Sequence, residues 1–348
     1  MSSPDARAVV WVMHAGALGD WVLLWPLLRA LGRAGTLVIA VSHDAKAKLA
    51  AKWIECAPGS LLALPGGSDQ PRLSRWWAGA GGSSVAPRVA EWGVRPPTRI
   101  ISFLADDTTA AGRAWLASAA AEFPGAAIET VGPPGSASRT ALWVREGVAT
   151  RSAVPIRENP AGPIVCHVGA GGESKRWPME RWASLVQTLR DSGEPAIVVA
   201  GEAELERFDA AERAAFTRVG GRYIESLEDL AMIVSTGRLF VGADTGPTHL
   251  AAQLGIPALA LFGPTDPAVW QPVGPAVRTL IPGAPGPMTW LEIDPVHQAA
   301  KELRSAHRSD EDLAAIDRGI EDVKAGRVHD MREAIRGIAR RLGLPLDR

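Results

Sequence analysis

The sequence alternates short apolar runs with segments of helical periodicity, and this alternation constrains the fold more than any other feature. In the first part of the chain, the apolar runs and the helical patterns that follow them lie at 8–13 and 20–31, 37–41 and 44–53, and 100–104 and 109–121. A buried strand followed by a crossover helix predicts parallel pairing, with helices on both faces of the sheet. The sequence therefore predicts an α/β fold of the Rossmann-like kind.

The same alternation restarts after a stretch rich in proline and glycine. Residues 131–163 carry the punctuation that is expected of a connector between domains. Beyond the connector, strand patterns lie at 164–168, 196–200, 239–241 and 258–261, and helical patterns at 178–190, 202–216, 227–234 and 247–254. We predict two Rossmann-like domains, at residues 1–155 and 156–310, with parallel sheets that face an interdomain cleft. A helical tail at 311–348 completes the prediction.

Composition excludes several classes of protein. The chain has 37 Lys and Arg residues against 38 Asp and Glu, a formal net charge of -1, whereas a nucleic-acid binder usually carries a basic surplus. Two cysteines are too few for a disulfide framework or a cysteine-based zinc site. The first residues lack the features of a signal peptide, and no apolar run approaches the ~18 residues of a transmembrane helix. We predict a cytoplasmic protein, and docking on a membrane surface stays open.

Three loops that follow predicted strands hold the candidate chemistry, because ligands of open parallel sheets bind outside the carboxyl ends of the strands. The first loop is HAGALGD at 14–20. Gly16 and Gly19 permit a tight turn and the close approach of a ligand to the backbone. Asp20 has two interpretations, as the N-cap of the following helix or as a general base aimed into the cleft. The glycine spacing does not match the dinucleotide fingerprint.

The second loop, HVGAGGESKRWP at 167–178, connects a predicted strand to a helix that proline opens. Its backbone amides and the Lys175 ammonium can hold a phosphate, and a purely structural turn is the alternative. The loop is not a P-loop, because Ser174 stands where that motif requires glycine. Trp177 is interpreted as a packing residue.

The third loop, VGADTGPTHLAA at 241–252, ends a strand and begins a helix near Pro247. The free amides and the positive dipole end of that helix face the cleft. Thr245 and Gly246 offer a hydroxyl group and backbone donors to phosphate oxygens, and His249 adds a donor in the first turn. The segment FGPTDP at 262–267 follows the last strand and is interpreted either as a wall of the nucleotide site or as a plain turn.

Together, these loops resemble glycosyltransferase family 9, the heptosyltransferases of lipopolysaccharide core assembly. The resemblance rests on GALGDWVLLWPLLRAL (16–31), HVGAGGESKRWPMERW (167–182) and VGADTGPTHLAAQLGIPALALFGPTDP (241–267), in this order. It implies the GT-B architecture, with the donor nucleotide on the C-terminal domain and the acceptor on the N-terminal domain. It also implies that heptose is transferred from ADP-heptose with inversion and without a metal or other cofactor.

The resemblance implies roles for individual residues. Asp20 matches the catalytic base of the family. Lys175 matches the family's phosphate-contacting lysine, and Asp244 matches its carboxylate near the donor sugar. The turn that binds the pyrophosphate is matched by Thr245, Gly246 and His249. Glu202 lies about where the family has a ribose-binding glutamate, and Glu204 and Glu206 compete for that assignment.

The second loop departs from the family in its hydroxyl residues. Family members often carry small hydroxyl residues before the lysine, where this chain has Ala170 and Gly171. Contact with a phosphate is therefore expected from backbone amides, including that of Gly171, and from Ser174.

The predicted function is the transfer of heptose from ADP-heptose to an anionic, lipid-linked saccharide of the lipopolysaccharide core, at the cytoplasmic face of the inner membrane. The alternatives are a GT-B glycosyltransferase that uses another nucleotide sugar and a non-catalytic nucleotide-sugar-binding protein. Basic residues of the first domain are acceptor-binding candidates, and none is singled out: Arg29, Arg33, Lys46, Lys48, Lys52, Arg72 and Arg75.

Overall fold

The computed structural model describes residues 8–33, 35–56, 60–65, 95–104, 107–148, 154–157 and 159–305. Met1–Leu303 form one compact unit, and Arg304–Arg348 form a second one. The predicted tail at 311–348 lies outside the described residues, as do Arg72, Arg75 and the side chain of Arg33. Residues 8–148 are called the N-terminal half below, and residues 159–305 the C-terminal half.

Five parallel strands form the sheet of the N-terminal half. They are β1 (Val9–Met13), β2 (Leu37–Ser42), β3 (Leu61–Pro65), β4 (Arg99–Ser102) and β5 (Ala127–Thr130). Their order is β3-β2-β1-β4-β5, so β1 is central. All five residues of β1 are buried, as expected of a parallel strand that is covered on both faces.

Six parallel strands form the sheet of the C-terminal half. They are β6 (Ile164–His167), β7 (Ala196–Gly201), β8 (Arg222–Ile224), β9 (Leu239–Ala243), β10 (Ala258–Leu261) and β11 (Val277–Leu280). Their order is β11-β10-β9-β6-β7-β8. The strand order reverses between β9 and β6, where the following loops diverge and open a crevice. The two sheets confirm the predicted α/β fold.

Helices connect the strands of both sheets. They are α1 (Leu18–Val22), α2 (Trp25–Arg33), α3 (Asp44–Trp53), α4 (Ala110–Glu122), α5 (Ala137–Arg145), α6 (Met179–Asp191), α7 (Glu202–Arg207), α8 (Ala210–Arg218), α9 (Leu227–Ser235), α10 (Gly246–Gln253) and α11 (Pro267–Trp270). Residues 293–305 are also helical. Across the described parts of the chain, no helix combines the length and apolar character that crossing a membrane requires.

The two halves share a hydrophobic core. Helix α1 packs against α10, and α3 packs against α9. One buried cluster contains Trp21 and Trp25 from the N-terminal half and Leu250 from the C-terminal half. Arg29 of α2 donates hydrogen bonds to the side chain and the carbonyl group of Gln253. These contacts hold the carboxyl end of β1 next to the beginning of α10.

The first predicted helix is wrong at its start and in its continuity. Helix α1 begins at Leu18 and its N-cap is Ala17, so Asp20 is not the cap. The helix ends at Val22 and α2 follows, since Pro26 has no N–H group to bond the carbonyl four residues earlier. Asp20 instead lies in the first turn of α1, where the helix dipole stabilises a carboxylate.

Two other predictions need correction. The single helix predicted at 202–216 is divided into α7 and α8, because Asp209 and Glu212 form a capping box that starts the second helix. The predicted connector at 131–163 contains α5, which Ser136 caps through its side chain. The prolines and glycines of this stretch therefore bracket a helix.

Candidate functional site

Asp244 is the centre of a buried polar cluster at the carboxyl end of β9. Its Oδ2 accepts hydrogen bonds from Lys175 Nζ at 2.9 Å and Thr265 Oγ1 at 2.7 Å, and its Oδ1 lies 3.3 Å from His249 Nε2. Burial by itself raises the pKa of Asp244, but the hydrogen bonds from these three side chains outweigh it and hold the pKa below its ordinary value. Asp244 is therefore an ionised carboxylate whose lone pairs are occupied.

The sheet order explains why these side chains meet. Strands β10, β9 and β6 are neighbours, and the loops after them carry Thr265, Asp244 and Lys175 in the same order. Parallel strands end at one edge of their sheet, so the three loops lie side by side there. The cluster occupies the crevice between β9 and β6.

Helix α10 begins just after Asp244. Its N-cap is Thr245, which makes no side-chain cap bond, and Pro247 lies in its first turn. A Cβ added at Gly246 would lie 2.8 Å from the Cβ of Leu18, so this position requires glycine. Amides at a helix N-terminus have no partner within the helix and favour an anion. The predicted phosphate contacts of the Thr245 hydroxyl and the Gly246 amide stay predictions.

The loop after β6 brings Lys175 to Asp244 but leaves its neighbours at the surface. Lys175 ends a 3-10 turn, and 30% of its side chain is exposed, so its remaining ammonium protons are open to a ligand. Gly171 and Ser174 are exposed. Ser174 lines a cavity of about 670 Å³ whose described lining contains neither Lys175 nor Asp244. Their predicted phosphate contacts stay predictions.

Glu204 lies beside the same loop. Its side chain is 6% exposed, and its Oε2 accepts a hydrogen bond from the Gly201 amide at 2.9 Å. A Cβ added at Gly169 would collide with the Glu204 carboxyl group, so glycine lets the loop close over it. Burial raises the pKa of Glu204. Glu206 is exposed, and the side chain of Glu202 lies outside the described residues.

Asp20 lies next to the contact between α1 and α10. A Cβ added at Gly19 would lie 3.2 Å from His249 Cδ2 and 3.6 Å from the Gly246 amide nitrogen, so the two helices approach to backbone distance. Asp20 is half-buried. Among the described residues, none forms a hydrogen bond or close ion pair with its carboxylate. The Asp20 carboxylate is therefore free to accept a proton close to the N-terminus of α10.

Two buried cations flank Asp20. Lys46 Nζ donates a hydrogen bond to the carbonyl oxygen of Gly16, and Arg139 Nη2 donates one to that of Leu23 at 3.3 Å. Burial lowers the pKa of both cations, and the charge of Asp20 acts in the opposite direction. The surroundings of Asp20 are therefore rich in positive charge.

His14 lies behind the same loop and is 5% exposed. Burial, followed by the charges of Lys46 and Arg139, lowers the pKa of His14 to about 3. A Cβ added at Gly16 would lie 2.9 Å from His14 Nε2 and 3.2 Å from Asp20 Oδ2, so glycine keeps the space beside the carboxylate clear. His14 is neutral at physiological pH, so it adds no charge to this site.

The sequence profile of glycosyltransferase family 9 (heptosyltransferase) matches residues 137–285. The matched segment extends from α5 past β11 and includes the cluster around Asp244. Through this segment, the chain is similar to glycosyltransferase family 9. The family 9 segment does not include Asp20, so the comparison leaves the role of that residue to the geometry.

The curated relatives are lipopolysaccharide heptosyltransferases by name. Lipopolysaccharide heptosyltransferase 1 of Escherichia coli (strain K12) is 35% identical over 102 residues, which are 28% of this chain and 30% of the relative. Lipopolysaccharide heptosyltransferase 2 of the same strain is 27% identical over 148 residues, which are 40% of this chain and 42% of the relative. The chain thus matches less than half of the length of either relative.

Solved structures extend the likeness in fold to both halves. The glycosyl transferase family 9 structure from Veillonella parvula DSM 2008 has a TM-score of 0.63 at 16% identity, covering 86% of this chain and 98% of that one. E. coli heptosyltransferase WaaC with ADP has a TM-score of 0.55 at 19% identity, covering 85% and 99%. These likenesses confirm the predicted GT-B architecture.

Two residues of the site escaped sequence reasoning. Thr265 belongs to a segment interpreted as a wall or a turn, and only the pairing of β10 with β9 reveals its hydrogen bond to Asp244. Arg139 lies in the predicted connector, where the cap residue Ser136 was the available signal of a helix. Trp177 is buried and donates a hydrogen bond to the Leu291 carbonyl, which confirms its packing role.

The basic residues that the sequence offers as acceptor-binding candidates differ in the groups that they contact. Three of them bond to protein side chains: Arg29 to Gln253, Lys48 to Asp44, and Lys52 to Glu228. Lys46 donates a hydrogen bond to the Gly16 carbonyl oxygen in the loop before Asp20.

In the described ranges, no group of three or more His, Cys, Asp or Glu side chains is placed to hold a metal ion.

Proposed function

We propose that the protein is an inverting glycosyltransferase that moves heptose from ADP-heptose to an anionic, lipid-linked saccharide of the lipopolysaccharide core. The observation that carries the proposal is the contact of the Asp20 helix with the start of α10, which sets an unpartnered carboxylate close to an anion-binding helix end. We further propose that the reaction takes place at the cytoplasmic face of the inner membrane, where a soluble donor meets a lipid-linked acceptor.

Asp20 acts as the general base in this proposal. It removes the proton of the acceptor hydroxyl while that oxygen attacks the anomeric carbon, and the bond from this carbon to the diphosphate oxygen breaks. Asp244 is unsuited to this step, because its oxygens are engaged by three donor side chains and its pKa is lowered. One carboxylate suffices for inversion, since the diphosphate is already a good leaving group.

The C-terminal half stabilises the departing diphosphate. Lys175 keeps Asp244 as one partner and offers its other protons to a phosphate, while the Thr245 hydroxyl and the Gly246 amide add uncharged donors. His249 supports this arrangement through Asp244. These donors perform the charge stabilisation that the proposal requires, without a metal.

The ADP part of the donor is supported by one of the fold relatives, which was solved as the E. coli heptosyltransferase WaaC with ADP. The curated relatives carry the heptosyltransferase name as well. For the ribose we propose Glu202 or Glu204.

The test is a thermal-unfolding screen with ADP-heptose, other ADP-sugars, GDP-sugars and UDP-sugars. A ligand at about 100 times its dissociation constant adds about 2.7 kcal/mol to the free energy of unfolding, so the true donor stands out. The protein is then incubated with delipidated core oligosaccharides, and products are detected by mass spectrometry. Stabilisation by a GDP- or UDP-sugar alone would favour another donor, and ADP binding without product would favour a non-catalytic protein.

Lys175→Ala is expected to weaken ADP binding by about 10- to 100-fold, because hydrogen bonds to charged groups contribute about 1.5–3 kcal/mol each. Isothermal titration with ADP measures the change. Lys48→Ala is the matched control, since Lys48 is a surface lysine paired with Asp44 on α3 and is expected to leave the affinity unchanged. Equal ADP affinity in the wild type and Lys175→Ala would remove Lys175 from the donor site.

A further inference from the structure

The glycine-rich loop after β6 carries no polar side chain from Gly169 to Gly172, so a ligand of this stretch has to bind its main chain. Gly171 is exposed, and a Cβ added at Gly171 or at Gly172 would meet nothing within 4 Å beyond its chain neighbours. Within the described residues, no group accepts a hydrogen bond from the amide of either glycine. The loop therefore presents two consecutive free amides to open space.

Arg207, the last residue of α7, holds the opposite side of this loop. Its Nη1 donates hydrogen bonds to the carbonyl oxygen of Gly171 at 3.1 Å and to that of Ala170 at 3.4 Å. The Arg207 side chain is exposed, and these two carbonyl groups are its hydrogen-bond partners in the part of the chain that the structure describes. A cation thus fixes the direction of two successive carbonyl groups.

The peptide bonds of the loop convert this contact into a direction for the amides. No peptide bond among the described residues is cis, and in a trans peptide the carbonyl oxygen and the amide hydrogen point in opposite directions. The Ala170 carbonyl shares its peptide with the Gly171 amide, and the Gly171 carbonyl shares its peptide with the Gly172 amide. Both amides therefore point away from Arg207, on one side of the loop.

The order of the strands shows what lies on that side. Strand β7, which α7 follows directly, is one neighbour of β6, and β9 is the other. Because Arg207 approaches the loop from the β7 side, the two amides face the β9 side, where Asp244 follows its strand. Lys175, three residues after Gly172, already bonds Asp244 there. The amides and the Lys175 ammonium group thus converge on the same crevice.

We propose that Arg207 is a positioning residue, which fixes the glycine-rich loop so that the amides of Gly171 and Gly172 bind a diphosphate. Successive N–H groups that point to one side form a concave site for an anion, and Lys175 supplies the positive charge. Arg207 acts through the loop, since its contacts lie on the far side. That the diphosphate belongs to a sugar donor rests on the proposed function.

The first experiment examines the loop without a ligand. NMR relaxation gives the order parameters of the Gly171 and Gly172 amides, which we expect near about 0.85 in the wild type and below about 0.6 in Arg207→Gln. Arg207→Lys keeps one cationic donor and is expected to restore part of the order. Arg213→Gln is the matched control, because Arg213 is exposed on α8 and bonds the Phe208 carbonyl outside the loop.

The second experiment adds inorganic pyrophosphate, the group common to nucleoside-diphosphate donors, and then ADP. We expect both to shift the amide signals of Gly171 and Gly172, and Arg207→Gln to weaken the binding of both by about 3- to 10-fold, the effect of about one net hydrogen bond. The loss should persist at high ionic strength, because salt screens a distant charge but does not restore the order of a loop. Arg213→Gln should bind both as the wild type does.

Transfer assays complete the test. Arg207→Gln is expected to raise KM for the sugar donor by about 3- to 10-fold, with a smaller change in kcat. The inference is overturned when pyrophosphate leaves the Gly171 and Gly172 signals unshifted, when Arg207→Gln keeps wild-type loop order and affinity, or when its loss of affinity vanishes at high salt. Arg207-dependent binding of pyrophosphate without any transfer from ADP-heptose contradicts the proposed function alone.

Discussion

Asp20→Asn is expected to lower kcat by about 10²–10⁴-fold, the usual contribution of a general base. Asparagine keeps the size of the side chain and its place in the first turn of α1 but has no basic oxygen. Binding of ADP should stay unchanged, because the donor contacts that we propose come from the C-terminal half. Initial rates at saturating donor and acceptor measure kcat, and isothermal titration with ADP measures the affinity.

Asp44→Asn is the matched control for this experiment. Asp44 is also an acidic residue in the first turn of a helix, but it is paired with Lys48 on the outer side of α3. We expect wild-type turnover from it, which separates the chemistry of Asp20 from a general effect of helix charge. Wild-type turnover in Asp20→Asn would disprove the assignment of the base.

Asp244→Ala is expected to lower the free energy of unfolding by about 2–4 kcal/mol, because a buried donor that loses its acceptor costs about 1–3 kcal/mol. The donors affected are His249 and Thr265, whereas Lys175 is exposed enough for water to replace its partner. We also expect weaker ADP binding, since Lys175 then lacks the group that orients it. Urea denaturation measures the stability and titration the affinity.

The control for Asp244→Ala is Asp191→Ala, at the exposed end of α6, where the carboxylate meets only Gln187 among the described residues. Asp191→Ala should change the free energy of unfolding by less than about 0.5 kcal/mol.

The contribution of Asp244 to stability depends on pH. The pKa of Asp244 is lowered in the folded state, so the stabilising effect of its ionised carboxylate is complete above the ordinary aspartate pKa and is lost as the pH falls through the folded value. A stability difference that grows with acidification would contradict this account.

The inner strands of both sheets were predictable because they are apolar runs followed by loops. The edge strands β3, β5, β8 and β11 were not predicted, and three of them carry charged residues. Burial on both faces makes β1 and β9 continuously apolar, and the sequence shows this directly. Helix boundaries were less predictable. The break between α1 and α2 depends on Pro26, and α5 lies between prolines that indicate a connector. At Pro26 the break between two helices was missed, and around α5 the prolines were interpreted as a connector although a helix lies between them.

The cluster around Asp244 was easier to predict from the sequence than the surroundings of Asp20. Asp244, Thr245 and His249 are local in sequence, so one motif contains them. Thr265 and Arg139 become neighbours of the site only through strand order and the packing of α5, which no local pattern encodes. The N-cap interpretation of Asp20 is wrong, because Ala17 occupies that position, and the general-base interpretation stays a prediction.

The contact of Gly19 with Gly246 has a consequence for evolution and for engineering. The two halves approach closely at this point, because an added Cβ would lie 2.8 Å from the Cβ of Leu18 at Gly246 and 3.2 Å from His249 Cδ2 at Gly19. A larger residue at Gly246 would collide with Leu18 and push α1 away from α10. In the proposed mechanism this would carry Asp20 away from the donor phosphates, so the absence of side chains at the two glycines sets the distance over which the sugar would be transferred.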